Sequence, residues 1–519
     1  RSAILFMNSD TFRFTTMNDQ RLSNLYLDLS QQASWAARIR SYSEKVIQFG
    51  SGVLLRGLPD YFIDKANKQE VFKGRILVVK TTQAGSAEAF SRQDGLYTHI
   101  VRGWEGGKTL EEVIVNASIS QVLNAQNQWE LVLASAQQPE LKLVISNTTE
   151  VGIRYQPESF HQGVPVSYPG KLLAFLHRRF LYFKGHPAYG LVILPTELIP
   201  ENGTRLNEII LQLARENFPD QAFIHWLSKH NFFCNTLVDR IVPGKLPLQE
   251  HTVLEERLGY RDDLMMMSEA YRLWAIESDE PAVREALSFA QTDTGIVIAP
   301  DIRKYRELKI RLLNAPHTFS CGLAFLAGFV TVKQAMQHSG FVSFLKQLML
   351  RDIVPLLQED SIPIEEARAF ASQTLDRFSN PFLEHRWLSI TLQYTSKMVM
   401  RTLPLILKQS LQGSPIPLTF CLGFAGFLLF MKSEQHADGR YYGELNGVSY
   451  LIEDEQAAFF SEAWKTYSGE ALVQYVCRQH AIWGTNLTEV VGLAKAIHQE
   501  LRVLQLHGIL AVLQNYNLS

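Results

Sequence analysis

The sequence has few cysteines, hardly any net charge and no long run of charge of one sign. Its 519 residues include four cysteines, whose wide spacing fits neither a disulfide framework nor paired zinc ligands: Cys234, Cys321, Cys421 and Cys477. We therefore expect a reducing, cytoplasmic location and no metal ion. Lys and Arg number 50 against 52 for Asp and Glu, so the formal net charge is -2 and nucleic acid is a poor candidate partner.

The sequence also lacks an apolar stretch long enough to cross a membrane. Its most apolar segment, residues 416–431, is interrupted by Pro417, Gly423 and Gly426 and is shorter than the about 20 residues that a bilayer requires. We interpret this segment as a buried helix and expect no membrane partner. The first residues lack the charged and apolar regions of a secretory signal, and residues 1–40 are interpreted as an N-terminal extension.

The length and the patterning of apolar residues indicate two domains. A chain of 519 residues exceeds the size at which a single core stops growing. Short apolar runs at 46–49, 76–79 and 143–145 alternate with helix-like segments, which is typical of a parallel sheet covered by helices. We predict a doubly wound, Rossmann-like α/β domain over residues 41–300, with an antiparallel excursion at 95–118.

Beyond Asp301 the pattern changes, because apolar residues follow helical spacing almost to the end of the chain. Prolines are expected to break these helices, at Pro355, Pro363, Pro381 and Pro415. Residues 301–519 are therefore predicted to form a mainly α-helical domain.

A glycine-containing loop follows the first apolar run. Gly50 and Gly52 precede a helix-like segment that ends near Lys68, so backbone N–H groups could face the pyrophosphate of a dinucleotide. The third glycine of the usual fingerprint is replaced by Leu55, and similar turns bind nothing. The loop alone leaves cofactor binding and a plain turn equally open.

The end of the second apolar run bears on the choice of coenzyme. An acidic residue that binds the ribose of NAD is expected there, but the sequence has Lys80 followed by Thr81 and Thr82. Lys80 or Arg75 could bind the additional phosphate of NADP. The alternative, which we favour, is a solvated charge at the end of a strand.

A segment with three polar side chains lies where the predicted sheet domain gives way to the helical one. Lys309, Asn314 and His317 would project within one broad arc of an ideal helix, with Pro316 close enough to distort the last turn. Oxidation of an alcohol needs a base for the hydroxyl proton and donors for the developing oxyanion, which a lysine and an asparagine can supply. On this chemistry alone, an ordinary solvent-exposed helix remains the favoured alternative.

Several motifs together resemble those of the polyol-specific long-chain dehydrogenases, a family that includes mannitol dehydrogenases and hexuronate reductases. They are Lys309-x4-Asn314-x2-His317, Gly50-x-Gly52-x3-Arg56, and the block 235–243 that contains Asp239. The resemblance covers the chain from about Lys45 onward. It implies a metal-independent oxidoreductase that binds NAD(H) and a small sugar-acid substrate. We expect a monomer or a small homo-oligomer.

The resemblance also implies roles for individual residues. Lys309 would be the general acid/base, Asn314 and Asn202 the oxyanion donors, and His317 would orient the substrate while Glu150 relays a proton. The implied cofactor-binding residues are Gly50, Gly52, Arg56, Asn147 and Thr148, and the implied substrate-binding residues are Asp239, Asn235, Arg377, His385 and Lys397, with Arg401 as a further cation. The alternatives are structural, since the segment ending at Glu150 could cap a helix, Asp239 could pair with Arg240, and the cations could lie on the surface.

Within the family, the closest resemblance is to the hexuronate reductases that interconvert D-tagaturonate and D-altronate. It is carried by the blocks 46–50, 60–65, 146–150, 235–244 and 377–381. It implies NAD-dependent reduction of D-tagaturonate, with the reactions of a fructuronate reductase or a mannitol 2-dehydrogenase as alternatives. An alternative of a different class is a catalytically silent nucleotide-binding sensor, which would keep the glycine loop without needing Lys309.

Overall fold

The computed structural model describes residues 20–30, 34–81, 87–148, 152–160, 163–358 and 362–515. The chain divides into two compact units. Unit 1 consists of Arg1–Val101, Glu112–Ser268 and Arg272–Pro300, and unit 2 consists of Arg102–Glu111, Glu269–Tyr271 and Asp301–Ser519.

The strands that precede Asp301 form three sheets. In chain order they are β1 (Glu44–Phe49), β2 (Arg75–Lys80), β3 (Tyr97–Glu105), β4 (Lys108–Asn116), β5 (Ile119–Asn124), β6 (Leu143–Ser146), β7 (Val192–Pro195), β8 (Phe232–Phe233), β9 (Thr236–Asp239), β10 (Met266–Glu269), β11 (Leu273–Glu277) and β12 (Ile296–Ala299).

The central sheet of unit 1 has six parallel strands in the order β5-β2-β1-β6-β7-β8. The chain builds outward from β1 in one direction and then from β6 in the other, which is the doubly wound topology predicted from the sequence. The register places Phe49 opposite Val79 and Ser146, and Ser146 opposite Pro195. The carboxyl ends of β1, β6 and β7 therefore meet at one edge, at the switch point of the sheet.

The sequence explains why these segments are strands buried on both faces. The last four residues of β1 and all four of β6 are buried, and both segments are rich in Val and Ile. Continuous apolar runs of this kind are typical of parallel sheets covered by helices. Ile47 and Val144 belong to the core that the sheet shares with the helices on one of its faces.

Unit 1 also contains the helices that connect the strands of this sheet. They are α1 (Asn24–Ser30), α2 (Ser34–Arg40), α3 (Val53–Gly57), α4 (Pro59–Lys68), α5 (Ala87–Arg92), α6 (Trp129–Ser135), α7 (Tyr168–Phe183), α8 (Asn202–Asn217), α9 (Gln221–His230), α10 (Leu248–Leu258) and α11 (Pro281–Ala286), with short 3-10 turns at Pro187–Tyr189 and Ser288–Thr292. The helical run after the glycine loop ends at Lys68 as predicted, although Pro59 divides it into α3 and α4 because proline has no N–H for the helical hydrogen bond.

The two smaller sheets contain antiparallel pairs. β9 pairs with β11 in the antiparallel sense, and β12 is parallel to β11. β3 and β4 are neighbours in the order β10-β3-β4 and are joined by Gly106 and Gly107 alone, so they form a hairpin. Both glycines have positive φ angles, of 56° and 84°, as tight hairpin turns require. This hairpin is the antiparallel excursion expected at 95–118.

Part of the predicted N-terminal extension is packed within unit 1. Leu22, Leu27, Ala36 and Ile39 are buried in a small core with partners that include Tyr260. The described part of this segment is therefore held by burial of apolar side chains.

Unit 2 is mainly helical. Its helices are α12 (Arg303–Lys309), α13 (Ala315–Leu326), α14 (Val332–Ala335), α15 (Ser339–Lys346), α16 (Val354–Leu357), α17 (Ile364–Phe378), α18 (Trp387–Ile390), α19 (Tyr394–Lys397), α20 (Leu403–Leu411), α21 (Leu418–Phe430), α22 (Ala457–Thr466), α23 (Gly469–Cys477), α24 (His480–Trp483), α25 (Leu493–His507) and α26 (Ile509–Asn515), with a 3-10 turn at Leu487–Glu489. A small antiparallel sheet contains β13 (Glu434–Gln435), β14 (Tyr441–Leu445) and β15 (Val448–Leu451).

The helix α21 is the centre of the large apolar core of unit 2. Eleven of its thirteen residues are buried, as expected for a helix that is apolar on every side. Neither α21 nor any other helix in the described ranges is both long enough and apolar enough to cross a membrane. The most apolar segment of the sequence is thus the buried helix that was predicted.

Prolines affect the helices of unit 2 in two ways. Pro363 precedes α17, and Pro381 and Pro415 lie between helices, as predicted. Pro355 does not break its helix: α15 continues into α16 through a π-helical segment at Gln347–Ile353, which corrects the expectation. The same arrangement occurs at Ile310–Asn314 before Pro316 and at Met398–Thr402 before Pro404. Since a proline ring clashes with the carbonyl four residues earlier, a widened turn lets the helix continue.

Candidate functional site

Unit 1 contains a cavity of about 970 Å³ at the carboxyl edge of its parallel sheet. The glycine loop after β1 and the segment after β6 both line it. All five residues predicted to bind the cofactor are in its wall: Gly50, Gly52, Arg56, Asn147 and Thr148.

The two glycines of the loop serve different purposes. Gly50 has φ +124°, and a Cβ there would lie 2.9 Å from the carbonyl oxygen of Asn147 and 3.0 Å from Leu55 Cδ1. Only glycine fits this crossing of the loop over the end of β6. At Gly52 a Cβ would meet nothing within 4 Å, so its backbone faces open space in the cavity wall.

The wall of the cavity is strongly cationic. Its basic residues are Arg56, Lys80, Arg92, Arg154, Lys171 and Lys245, against the single acidic residue Asp263 among the described lining residues. Asp263 also pairs with Arg92, at 3.3 Å. An excess of cations beside a glycine loop suits the phosphates of a dinucleotide.

Arg56 and Lys80 are both buried in this wall. The Nη1 of Arg56 donates to the carbonyl oxygen of Leu264 at 2.7 Å, while its Nε has no hydrogen-bond partner within the described residues. Burial lowers the pKa of Arg56. Lys80 is 5% exposed, which corrects its interpretation as a solvated charge. Arg75 is occupied at the other end of β2, where its Nη2 donates to the carbonyl oxygen of Ile119.

The ends of β6 and β7 are joined by side-chain hydrogen bonds. Asn147 Nδ2 donates to the carbonyl oxygen and Oγ1 of Thr196, at 3.1 and 3.0 Å. The backbone N–H and the hydroxyl of Thr148 both donate to Glu197 Oε1, at 2.9 and 3.0 Å. Glu197 was missed in the sequence because no motif marks it. Only the register of β6 against β7 brings it to this edge.

The structure gives Asn202 an environment that differs from the one expected of an oxyanion donor. Asn202 is 1% exposed, and its Nδ2 donates to the carbonyl oxygens of Pro195, Glu197 and Thr236. Its Oδ1 accepts from the N–H groups of Gly203 and Thr236. Both ends of this amide are therefore committed to the backbone, where they join the end of β7 to the start of β9.

The remaining predicted residues of unit 1 lie on and beside β9. Asp239 is buried at its end, and Asn235 just before it accepts from Thr204 N–H and donates to Glu277 Oε1 at 3.0 Å. Arg240 donates to the carbonyl oxygen of Gly57 and stacks on Tyr61. Glu150 lies outside the described residues.

In unit 2, Lys309, Asn314 and His317 lie on one continuous helical segment formed by α12, the π-helical turn and α13. In that turn Ala315 N–H bonds to the carbonyl oxygen of Ile310, five residues earlier. A turn of this width brings residues five positions apart, such as Lys309 and Asn314, toward one side. Pro316 was expected to distort the last turn of the helix. The distortion instead lies before Pro316, in the π-helical turn at Ile310–Asn314.

His317 is buried in an aromatic enclosure. Its ring stacks on Phe378 with centroids 4.0 Å apart, and the rings of His385 and Trp387 approach at 5.2 and 5.9 Å. Burial, followed by the nearby charges that include Arg401 and other basic groups, holds the pKa of His317 well below its usual range. Within the described residues its Nε2 has no hydrogen-bond partner. A neutral imidazole with one unused nitrogen can bind a substrate hydroxyl or carbonyl.

Two cations lie beside this histidine. Lys397 donates to the carbonyl oxygen of Ile390 at 2.8 Å, and Arg401 Nη1 donates to Thr318 Oγ1 at 3.3 Å. Burial lowers the pKa of both side chains, and each cation lowers the pKa of His317. Neither forms an ion pair with a carboxylate in the described ranges. Arg311 connects the π-helical turn at Ile310–Asn314 to the one at Met398–Thr402. It donates to the carbonyl oxygens of Met400 and Arg401, at 3.0 and 2.9 Å.

Arg377, also predicted to bind substrate, already has a carboxylate partner. Its Nε and Nη2 donate to the two carboxylate oxygens of Glu269, at 3.0 and 2.8 Å, and both side chains are almost fully buried. Its guanidinium stacks on Tyr271. This bidentate pair neutralises the charge of Arg377, so the geometry favours a structural role for it.

Comparisons with known proteins agree with both halves of this description. Residues 44–288 match the mannitol dehydrogenase Rossmann domain, and residues 301–505 match the mannitol dehydrogenase C-terminal domain. The chain belongs to the mannitol dehydrogenase family. It is thereby an oxidoreductase that acts on CH–OH groups, as the resemblance implied.

Curated members of the mannitol dehydrogenase family with similar sequences are named altronate oxidoreductase. One from Pectobacterium carotovorum subsp. carotovorum (strain PC1) is 34% identical over 486 residues, which cover 92% of this chain and 98% of that protein. One from Shigella flexneri is 34% identical over 469 residues, covering 89% and 94%. The resemblance to the tagaturonate and altronate branch of the family is thus confirmed.

Two solved structures have the same fold. The Pseudomonas fluorescens mannitol 2-dehydrogenase, in a ternary complex with NAD and D-mannitol, has a TM-score of 0.65 and 23% identity over 96% of this chain and 100% of that one. A D-sorbitol dehydrogenase in substrate-free form has a TM-score of 0.70 and 20% identity, covering 92% and 96%. The predicted fold class is therefore confirmed.

Proposed function

We propose that this member of the mannitol dehydrogenase family reduces the keto sugar acid D-tagaturonate to D-altronate with NADH, in a reversible reaction. The names of its curated relatives support the sugar-acid substrate. The four cysteines, all buried free thiols, are consistent with the proposed cytoplasmic location. Between residues 20 and 515, outside the undescribed gaps, no group of three or more His, Cys, Asp or Glu is placed to hold a metal ion, and metal independence remains a prediction.

The coenzyme fits the cavity of unit 1. Gly50 leaves room for the loop, Gly52 presents backbone to open space, and the buried Nε of Arg56 has no hydrogen-bond partner among the described residues. These groups would hold the pyrophosphate, and Asn147 and Thr148 would lie beside the nicotinamide end. When bound, the reduced nicotinamide supplies the hydride.

The proton and the orientation of the carbonyl come from the chain itself. Lys309 donates a proton to the keto oxygen as the keto carbon gains its hydride, and in the reverse direction it accepts the hydroxyl proton. The amide of Asn314 donates a hydrogen bond to the developing oxyanion, and the unused Nε2 of His317 binds the oxygen or a neighbouring hydroxyl.

One observation in particular supports an acidic substrate: Lys397 and Arg401 are cations beside His317 without carboxylate partners in the described part of unit 2. Two partly buried positive charges that form no ion pair with a carboxylate of the described residues favour binding of an anion. We propose that they bind the carboxylate of the substrate.

The test is oxidation of NADH and NADPH by the purified protein with tagaturonate, fructuronate, fructose and fructose 6-phosphate. We expect the highest kcat/KM with NADH and tagaturonate. Preference for fructose would contradict the assignment of Lys397 and Arg401 to a substrate carboxylate. Preference for fructuronate would keep that assignment but identify a different keto sugar acid as the substrate. Preference for NADPH would make Lys80, buried in the cavity wall, the residue that selects the coenzyme.

A further inference from the structure

We propose that Glu197 is a positioning residue for the coenzyme: it holds the segment 146–148 at the edge of the parallel sheet in the conformation that forms one wall of the cavity. The inference deepens the proposed function, since it assumes that this cavity takes the dinucleotide. Glu197 itself does not line the cavity.

The carboxylate of Glu197 forms hydrogen bonds with this segment. Ser146 Oγ donates to its Oε2 at 3.1 Å, and the N–H and hydroxyl of Thr148 donate to its Oε1 at 2.9 and 3.0 Å. The side chain thus accepts three hydrogen bonds from two residues, Ser146 at the end of β6 and Thr148 in the loop beyond it. Because Glu197 lies just after β7, these bonds link the end of β7 to the end of β6.

Burial makes this arrangement specific. Glu197 is 3% exposed, and burial raises its pKa while the hydrogen bonds from Thr148 and Ser146 oppose that rise. A buried carboxylate is retained at a cost in desolvation, so its partners must be ordered to offset it. The backbone on its own side is fixed as well, because Asn202 Nδ2 donates to the carbonyl oxygen of Glu197 at 3.0 Å.

The segment that Glu197 holds contributes two residues to the wall of the cavity. Asn147 and Thr148 both line the cavity, and Asn147 is anchored in parallel by Thr196. The loop also carries the carbonyl oxygen of Asn147, which lies against Gly50 of the glycine loop. A shift of the segment would therefore change two walls of the cavity together, and the first property to suffer would be affinity for the coenzyme.

The test uses fluorescence titration of the full-length chain with NADH, alongside kcat and KM. Glu197→Ala is expected to raise the Kd for NADH about tenfold with kcat at saturating NADH within about threefold of wild type, because it removes hydrogen bonds to a charged acceptor. Glu197→Gln is expected to stay within about threefold in Kd, since an amide oxygen can accept from Thr148 and its N–H can donate to Ser146. The matched control is Glu201→Ala, an exposed position four residues on whose side chain makes no capping hydrogen bond.

Several results would overturn the proposal. An unchanged Kd for Glu197→Ala would remove the positioning role, and a fall in kcat at unchanged Kd would make the residue part of the chemistry instead. Equal loss in Glu197→Gln and Glu197→Ala would show that charge, not geometry, is what matters. If Glu197→Ala does not fold, Ser146→Ala and Thr148→Val each remove one donor and are expected to raise the Kd severalfold, and unchanged affinity in both would refute the proposal.

The same titration separates this inference from the proposed function. A wild-type protein that fails to bind NADH would refute the coenzyme assignment itself. A wild-type protein that binds NADH, together with a Glu197→Ala variant that binds it equally well, would refute only the role of Glu197.

Discussion

The polar side chains at the ends of β6 and β7 in unit 1 differ from those around His317 in unit 2 in how fully their hydrogen-bonding groups are satisfied. At the sheet edge the side chains of Asn202, Asn147 and Glu197 are satisfied by backbone and side-chain partners. Around His317 a buried ring nitrogen lacks a partner in the described residues, and Lys397 and Arg401 have no carboxylate there.

The difference suggests what each region is for. Satisfied polar networks give a rigid surface, which suits a binding wall that must be preformed. Unsatisfied and mutually repelling groups lower stability and persist where a ligand or a reaction uses them. We therefore infer that the sheet edge provides a preformed binding surface and that the cluster around His317 in unit 2 carries out the chemistry.

The largest effect is expected for Lys309→Met. Without its proton donor, kcat for the keto sugar acid should fall about 10²- to 10⁴-fold, while the Kd for NADH stays near the wild-type value. Steady-state kinetics and NADH fluorescence measure the two quantities. The control is Lys304→Met in the same helix, where the lysine pairs with Glu366 at 3.0 Å. Unchanged turnover in Lys309→Met would eliminate the proposed chemistry.

Asn202→Ala tests whether the sheet edge is structural. Because the change removes the buried hydrogen bonds from Asn202 to the backbone carbonyl oxygens of Pro195, Glu197 and Thr236, we expect a loss of about 3 kcal/mol in the free energy of unfolding. Denaturant unfolding gives the value, and Asn207→Ala on the same helix is the control. A stable variant with a greatly reduced kcat would instead support the oxyanion role of Asn202 and would contradict a purely structural sheet edge.

Arg401→Met and Lys397→Met test whether the cations in unit 2 bind an anion. Each should raise KM for the keto sugar acid about 10- to 100-fold, with little change for a neutral ketose measured on the same variant. Arg377→Met should behave differently, lowering stability because the buried carboxylate of Glu269 would lose its bidentate cationic partner. Equal changes in KM for the acidic and the neutral substrate would contradict the carboxylate assignment.

The smallest effect concerns acid stability. The folded protein keeps the pKa of His317 well below 6.5, its ordinary value in the unfolded chain. Below that pH the unfolded chain binds a proton that the folded chain does not, so stability is complete above about pH 6.5 and is lost as pH falls. One pH unit further down, the loss is about 1 kcal/mol. His317→Phe should flatten this dependence between pH 7.5 and 5.5 in thermal unfolding, and the exposed His436→Phe should not; equal slopes in all three proteins would contradict it.

Local features of the sequence predicted most of the fold. The runs at 46–49, 76–79 and 143–145 became β1, β2 and β6 because continuous apolar segments of this length can be buried only as central strands here. The glycine loop was also predictable, since a positive φ and a close approach at Gly50 require glycine. The expectation that prolines end helices was correct at Pro363, Pro381 and Pro415. It was wrong at Pro355, where the helix continues through a widened, π-helical turn.

The candidate site was less accessible to such reasoning. The five residues expected to bind the cofactor do line one cavity, but Glu197 could be found only through the pairing of β6 with β7. The motif Asn202–Gly203 resembles a catalytic one, while its amide is committed to the backbone. The roles of Lys309, Asn314 and His317 remain predictions that the experiments above address.

The family, the parallel sheet with its glycine loop, and the helical second half were predictable from the amino-acid sequence, because they depend on residues that are close together along the chain. Which charges are neutralised depends instead on contacts made in the folded protein: Arg377 pairs with Glu269, which is distant in sequence, whereas neither Lys397 nor Arg401 pairs with a carboxylate of the described residues. The energy of a charge depends on its burial and its partners, and both are properties of the folded chain.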